Sequence, residues 1–306
     1  MKKPLLGASS LAAPKPQKNW DWRAASNFIA GGAGGALLFL ASIGGFEPAP
    51  TRMAILLALV LIGCGLTCVW LEIGRPLRAL NVYRHIATSW MTREAFVALA
   101  VFATGGLAWL LFQPLLAWLA GAAGLAFLYS QARILAANKG IPAWRHPRSV
   151  PLMVATGLAE GAGFLAGVAF LSGATIGFWQ AAVLLALIAI RALIWNGYLA
   201  GLTADGAPES ALRVLNEIAS RLTLFGHVLP GFAVLAALAG MPGRGALMFA
   251  AGTMVVASGW FLKYTLVRRA AFTQGLAVVR IPVRGGGPAG PAVKPGWKPV
   301  QGAKAG

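Results

Sequence analysis

The chain has 306 residues, of which 58% are hydrophobic and only 11% charged, with a formal net charge of +18. A soluble domain carries about a quarter charged residues, so the composition excludes one and calls for a chain that crosses a membrane repeatedly. The positive charge flanks apolar runs, where it serves topology and contact with anionic lipid. No aromatic-laced basic domain of the kind that binds nucleic acid accompanies it, which excludes nucleic acid as a partner.

Residues 1–23 form a basic tail whose first part, to Lys18, is rich in Ala and Pro and lacks the apolar core of a cleavable signal. This first part reads as disordered, with Trp20 and Trp22 at the headgroup layer. A span needs about 20 mostly apolar residues. Eight such runs follow: Ala24–Ile43, Met53–Ile73, Glu94–Phe112, Leu115–Ala137, Pro151–Leu171, Ile176–Gly201, Arg221–Gly240 and Ala246–Val267. The expected fold is therefore all-α, a bundle of eight transmembrane helices over residues 24–267. Sheets are excluded, since an open edge in lipid leaves backbone groups unpaired. In the first run, Gly31-Gly32-Ala33-Gly34-Gly35 offers either close helix packing or room for a flat ligand. Residues 268–306 form a second basic tail, with Arg268, Arg269, Arg280 and Arg284 followed by a Gly/Pro-rich stretch. It cannot bury enough apolar surface to fold alone, and is either a solvated topology tail or an arm around a soluble partner.

An even number of spans puts both termini on one side. Apart from Arg52 and Arg244 in opposite loops and Arg191 inside the sixth run, the 26 Lys and Arg are assigned to the tails and to the loops after runs two, four and six. By the positive-inside rule this makes both termini cytoplasmic, in a multi-pass protein of the inner membrane.

Two polar stretches interrupt the apolar pattern. The first is Leu71-Glu72-Ile73-Gly74-Arg75-Pro76-Leu77-Arg78-Ala79-Leu80-Asn81, continued by Arg84, Ser89, Arg93 and Glu94. Its Gly-Arg-Pro core stops a helix, because Pro cannot continue the hydrogen-bond ladder. The second is Tyr129-Ser130-Gln131-Ala132-Arg133, then Gly140-Ile141-Pro142-Ala143-Trp144-Arg145. Tyr129 and Arg133 are spaced to share one helix face, either as interface anchor and topology charge or as ligands. Over roughly residues 20–150 these stretches resemble the loop after the second helix and the end of the fourth in DmsC/NrfD-like membrane anchors of DMSO-reductase-type oxidoreductases. The resemblance implies an anchor that exchanges electrons with quinone. They would arrive through a four-cluster ferredoxin-like iron–sulfur subunit from a molybdopterin catalytic subunit. Docking would fall on Arg75, Arg78, Asn81, Arg84, Arg93, Trp144 and Arg145. Within the family, the chain looks most like the membrane subunits of phenylacetyl-CoA:acceptor oxidoreductases, which implies quinone reduction. The alternative is a quinol-oxidising anchor of a sulfoxide or sulfur-compound reductase. A secondary transporter, from another class, would carry inverted repeats with broken helices, and neither is evident.

Cys64 and Cys68 lie one turn apart in the second run, and two thiols cannot supply the ligands of an iron–sulfur cluster. They read as small packing residues. Of the three histidines, His85 and His146 fall in loops and His227 alone in a span, so neither a haem pair nor a metal site is expected. Polar residues inside a membrane are expensive and carry function by default. Counting about 1.5 Å per residue puts Asn27, Tyr129, Arg133, Glu160, Arg191, Asn196 and His227 in the inner half. Glu160 and Arg191 either form a pair that holds helices together or line a pocket. A pocket for ubiquinone or menaquinone fits the set, with Asn27, Tyr129, Arg133 and His227 as donors and Glu160 or His227 as proton carriers. No residue is expected to act on the substrate of the catalytic subunit.

Overall fold

The computed structural model describes residues 13–73 and 81–275, and the described chain is almost entirely helical. Among the described residues, eight helices are long and apolar enough to cross a membrane: α1 (Trp22–Ile43), α2 (Pro48–Glu72), α3 (Trp90–Leu111), α4 (Pro114–Ala137), α6 (Ser149–Leu171), α7 (Phe178–Ala204), α8 (Glu209–Leu238) and α9 (Arg244–Arg269). A single turn, α5 (Pro142–Arg145), lies between α4 and α6. The helix starts follow local chemistry. Proline at the first turn opens α2 and α4, where its missing N–H is no loss. The Ser89 hydroxyl caps α3 by accepting the Thr92 N–H at 3.3 Å.

Several boundaries differ from the hydropathy reading. α3 starts at its cap, before Glu94. α8 starts at Glu209 and not Arg221, because Glu209–Arg221 is an amphipathic helix that buries Ala211, Leu215 and Ile218 on one face only. The tail before Trp22 is ordered from Ala13. Gln17 holds it there: its Nε2 donates to the carbonyls of Trp20 (2.7 Å) and Val267 (3.2 Å), and its backbone N–H donates to Ala271 O (2.8 Å). The Gly74-Arg75-Pro76 breaker and the docking candidates Arg75 and Arg78 lie outside the described residues, as does the tail beyond Gly275. Helix α2 does end just before that breaker, at Glu72.

α1 to α4 and α6 to α9 form two groups joined along α1 and α6. Within the apolar windows of α1 and α6, 67% is buried in the protein, against 28% for α2, α3 and α7; α1 and α6 are therefore the central pair and the others face outward. Each group closes by the same device. Gly35 of α1 meets Gly124 of α4, and Gly163 of α6 meets Gly252 of α9, so closely that a β-carbon on Gly35 or Gly163 would stand 2.6 or 2.7 Å from the opposing carbonyl oxygen. Small residues permit this backbone contact between membrane helices. Gly31, Gly32 and Gly34 likewise face Gln131, Lys263 and Ala58, so the glycine run serves packing and leaves no slot for a flat ring. Both described chain ends meet at one end of the bundle, called the terminal end below.

Candidate functional site

Three of the long helices contain a π turn, at Asn27–Gly31 in α1, Leu222–Val228 in α8 and Thr265–Arg269 in α9. Such turns release backbone carbonyls from the ordinary ladder and recur at functional sites. Here each region gives a carbonyl to a side chain of another helix. Gln131 Nε2 donates to Asn27 O at 2.9 Å, Arg191 Nη2 to Gly226 O, and Trp144 Nε1 to Leu266 O at 2.8 Å. The cause in α8 is Pro230, which has no N–H for the carbonyl four residues back, Gly226; the Leu229 N–H reaches past to Leu224 O. In α9 the Ala270 N–H bonds Thr265 O at 2.8 Å, which leaves Leu266 O for the indole.

The first polar site lies at the terminal end of α1, α2 and α3. Glu94 is buried, and its Oε1 accepts from Asn27 Nδ2 at 3.2 Å. Two cavities share Val69, Ile73, Met91 and Glu94 as lining. One, of ≈ 460 Å³, extends along Leu66, Tyr83 and Leu99; the other, of ≈ 270 Å³, reaches Trp20, Asn27 and Glu72. A carboxyl at the junction of two mostly apolar cavities of this size has the form of a small-molecule site. Asn27 Oδ1 has no partner, so an acceptor is left over beside the carboxyl.

The second site lies behind the first, in the central seam. Lys263 Nζ of α9 and Glu160 Oε2 of α6 are 2.5 Å apart, both fully buried. Glu160 thus pairs with Lys263 and not with Arg191, because Lys263, one of the cations assigned to the terminal side by counting, sits inside α9. Arg191 is held by carbonyls instead: its Nη1 donates to Val255 O (3.1 Å), and its Nη2 donates to Ser258 Oγ (3.2 Å) as well as to Gly226 O. His227, beside Gly226, is buried with Nε2 unpartnered. Arg191 lies midway along α7, and Glu160 midway along α6, deeper than the inner half expected from the sequence.

The remaining sequence-selected residues separate from both sites. Tyr129 and Arg133 do share a face, with Arg133 Nη1 3.3 Å from Tyr129 Oη, but that face is the outer one, where both pack on Trp90. Asn196 is exposed. Asn81 and Arg84 are exposed on the terminal end, and Arg93 is half-buried, bound to the carbonyls of Ile86 (3.0 Å) and Ala87 (2.7 Å) and stacked on Trp90. Arg145 is exposed and bonded to Lys139 O and Gln274. Trp144 differs from the docking role expected of it: it is 1% exposed, stacked on Trp20 at 4.7 Å, because its N–H is needed by Leu266 O. Sequence reasoning named Glu94 and Gln131 only as parts of the two polar stretches, not as site residues, and passed over Lys263. Gln131 had a signal, since it lies between Phe127 and Leu135 on the buried face of α4.

Eight helices of membrane-spanning length around a buried ionic seam define a multi-span membrane protein. Residues 47–197 match the family model described as DMSO reductase anchor subunit (DmsC), and over this stretch the chain is similar to the membrane anchors of molybdopterin oxidoreductases. The matched stretch runs from the start of α2 into α7. It includes Glu94, Gln131, Glu160 and Arg191 and omits Asn27, His227 and Lys263. No curated protein sequence matches the chain.

Proposed function

We propose that this chain is the quinone-binding anchor of a molybdopterin/iron–sulfur oxidoreductase, with quinone held in the Glu94 cleft. The observation that carries the reading is the buried Glu94–Asn27 pair at the junction of two mostly apolar cavities. A quinone has a polar head that needs hydrogen-bond and proton partners and a tail that prefers lipid. Glu94, Asn27 and Tyr83 suit the head; Leu66, Val69, Met91 and Leu99 suit the tail. When bound, the quinone supplies two-electron, two-proton chemistry. The chain orients it, excludes bulk water and holds a proton at the Glu94 carboxyl.

The termini are taken as cytoplasmic, and a ferredoxin-like iron–sulfur subunit as docking on the basic terminal end around Asn81, Arg84 and Arg145. With Glu94 near that end, electrons have a short way to travel. To test the site, binding of a quinone-analogue inhibitor is measured on the intact complex in membranes. Glu94→Gln and Asn27→Leu should weaken it and slow quinone-linked turnover by about 10²-fold, while reduction of a dye that takes electrons from the soluble subunits persists. Unaltered inhibitor affinity in both variants would remove the cleft from consideration.

For the catalytic partner, the sequence resemblance favours oxidation of phenylacetyl-CoA with quinone reduction. The matched family description favours the opposite flow, quinol oxidation during sulfoxide reduction. Assaying one purified complex with phenylacetyl-CoA plus quinone, and with a sulfoxide plus quinol, separates the two.

A further inference from the structure

Behind the Glu94 cleft, polar groups from five helices line up across the central seam. Gln131 of α4 donates to Asn27 O, and its Oε1 has no partner. Across Gly32 stands Lys263: a β-carbon on Gly32 would be 2.9 Å from Lys263 Nζ and 3.2 Å from Gln131 Oε1. Lys263 pairs with Glu160, and Arg191 and His227 continue the line. Six of the eleven unpartnered buried side-chain atoms among the described residues belong to these groups and their neighbours: Asn27 Oδ1, Gln131 Oε1, Thr156 Oγ1, Glu160 Oε1, Arg191 Nε and His227 Nε2. Buried polar atoms in such numbers are ordinarily satisfied by internal water.

Charge balance indicates what the line does. With Glu94 and Glu160 ionised and Lys263 and Arg191 protonated, the seam is neutral. If the Lys263 proton passes to Glu94, the seam holds a neutral amine, a neutral acid and the Glu160–Arg191 charges, and is neutral again. Glu94, ionised once it has given its own proton to quinone, has only the Asn27 amide beside it, and an unpaired buried charge is heavily penalised; the transfer from Lys263 removes that charge without changing the net charge of the seam. The positions of Gln131 Oε1 and Asn27 Oδ1 suit waters between donor and acceptor, and Arg191, held by two carbonyls, is the fixed countercharge for Glu160 while Lys263 is neutral.

We propose that the Lys263–Glu160 pair is a buried proton store for the Glu94 cleft, connected to it by water along Gly32, Gln131 and Asn27. This rests on the quinone reading above. Each reduction of quinone to quinol takes two electrons from the iron–sulfur partner and two protons. Glu94 gives the first proton, Lys263 reloads Glu94 for the second, and both groups regain protons through the cleft mouth after quinol leaves. Lys263, Glu160 and Gln131 touch no quinone and are positioning residues.

Gly32→Ala tests the link with little risk to folding, because the added methyl group crowds the flexible ends of Lys263 and Gln131 and makes only ordinary contact with Leu128 Cδ1, at 3.5 Å. In the intact complex it should lower the kcat for quinone by about 10-fold or more, raise the solvent deuterium isotope effect, and leave KM, inhibitor binding and dye reduction unchanged. Lys263→Met should act alike. A second readout needs no turnover: infrared difference spectra of the complex, poised oxidised and then reduced, should contain a seam signal that Lys263→Met and Glu160→Gln both abolish. Normal kcat in Gly32→Ala together with an unaltered infrared difference in Lys263→Met would overturn the store. Loss of inhibitor binding in Glu94→Gln, with those results, would leave the cleft standing and the store alone refuted; intact inhibitor binding in Glu94→Gln and Asn27→Leu would refute the cleft itself and the store with it.

Discussion

Lys263 and Glu160 set the largest single-residue effects to expect. Removing one member of a fully buried ion pair strands the other and costs about 3–5 kcal/mol. Glu160→Leu alone should therefore lower the resistance of the solubilised protein to unfolding far more than Glu160→Leu combined with Lys263→Met, in which neither member of the pair is stranded and Arg191 keeps its carbonyl partners. Equal loss in the single and double variants, measured by denaturant titration, would contradict a coupled pair. His146, at the terminal end, gives a pH dependence. Burial is the main cause holding its pKa below the ordinary 6.5, with Asp205 partly opposing and Arg148 adding to the shift. A lowered folded-state pKa means that the unfolded chain binds the proton more readily, so this contribution is full above about pH 6.5 and is lost as pH falls below it. Stability should fall as the pH drops below about 6.5, and the fall should shrink in His146→Gln. At this scale the sequence was legible in kind but not in pairing. Glu160 and Arg191 stand out as charges in apolar runs, whereas Lys263, close to Arg268 and Arg269, merges with the topology charges. Glu94 reads as the polar first turn of a helix, and only the approach of Asn27 from α1 makes it a buried acid.

The π turns belong to the scale of the element, and α8 permits a quantitative test of why one forms. Proline inside a helix is about 3 kcal/mol worse than alanine, so Pro230→Ala would ordinarily stabilise. Here it would return an N–H to Gly226 O and compete with Arg191, whose charged hydrogen bond to that carbonyl is worth about 1.5–3 kcal/mol. Pro230→Ala should therefore be nearly neutral in the natural protein and clearly stabilising in an Arg191→Met background. A double-mutant cycle measures the difference, and additive effects would show that proline and arginine are uncoupled. The glycine crossings yield a simpler expectation. Val at Gly163 or Gly124 forces the helices apart against a carbonyl, and should reduce the folded protein recovered from membranes, whereas Val at Gly106, which a β-carbon would leave free of contacts, should not. Hydropathy made the eight helices readable because lipid demands long apolar runs. It was blind to the π turns, which depend on a donor arriving from another helix, and to the first half of α8, whose single apolar stripe is too narrow to resemble a span.

For the whole molecule, the distribution of polar groups along the bundle decides whether turnover moves charge across the membrane. The terminal half holds the Glu94 cleft, and the seam carries titratable groups to mid-bundle at Glu160 and Arg191. Toward the opposite end the interior is mainly apolar: Leu40, Ala162, Leu165, Ala166, Leu184 and Met248 pack together around a void of only ≈ 20 Å³, in whose lining Gln180 is the one polar side chain and carries no charge. A water needs polar partners as well as room, and this void has mainly hydrocarbon walls. A proton continuing outward would have to leave the last charged groups and cross that layer without a relay, which the cost of charge in an apolar medium forbids on a catalytic timescale. The proton store therefore fills and empties on the terminal side. If electrons also arrive on that side, through a partner on the basic face, quinone reduction transfers no net charge across the bilayer. Complex reconstituted in sealed vesicles should then turn over with substrate and quinone while a potential-sensitive dye stays silent. Replacing Leu165 and Met248 with Gln would add polar groups to the apolar layer, and should make the vesicles leak protons without speeding turnover. A potential that builds with turnover of the natural protein and collapses on adding an ionophore would mean that protons do pass the apolar layer.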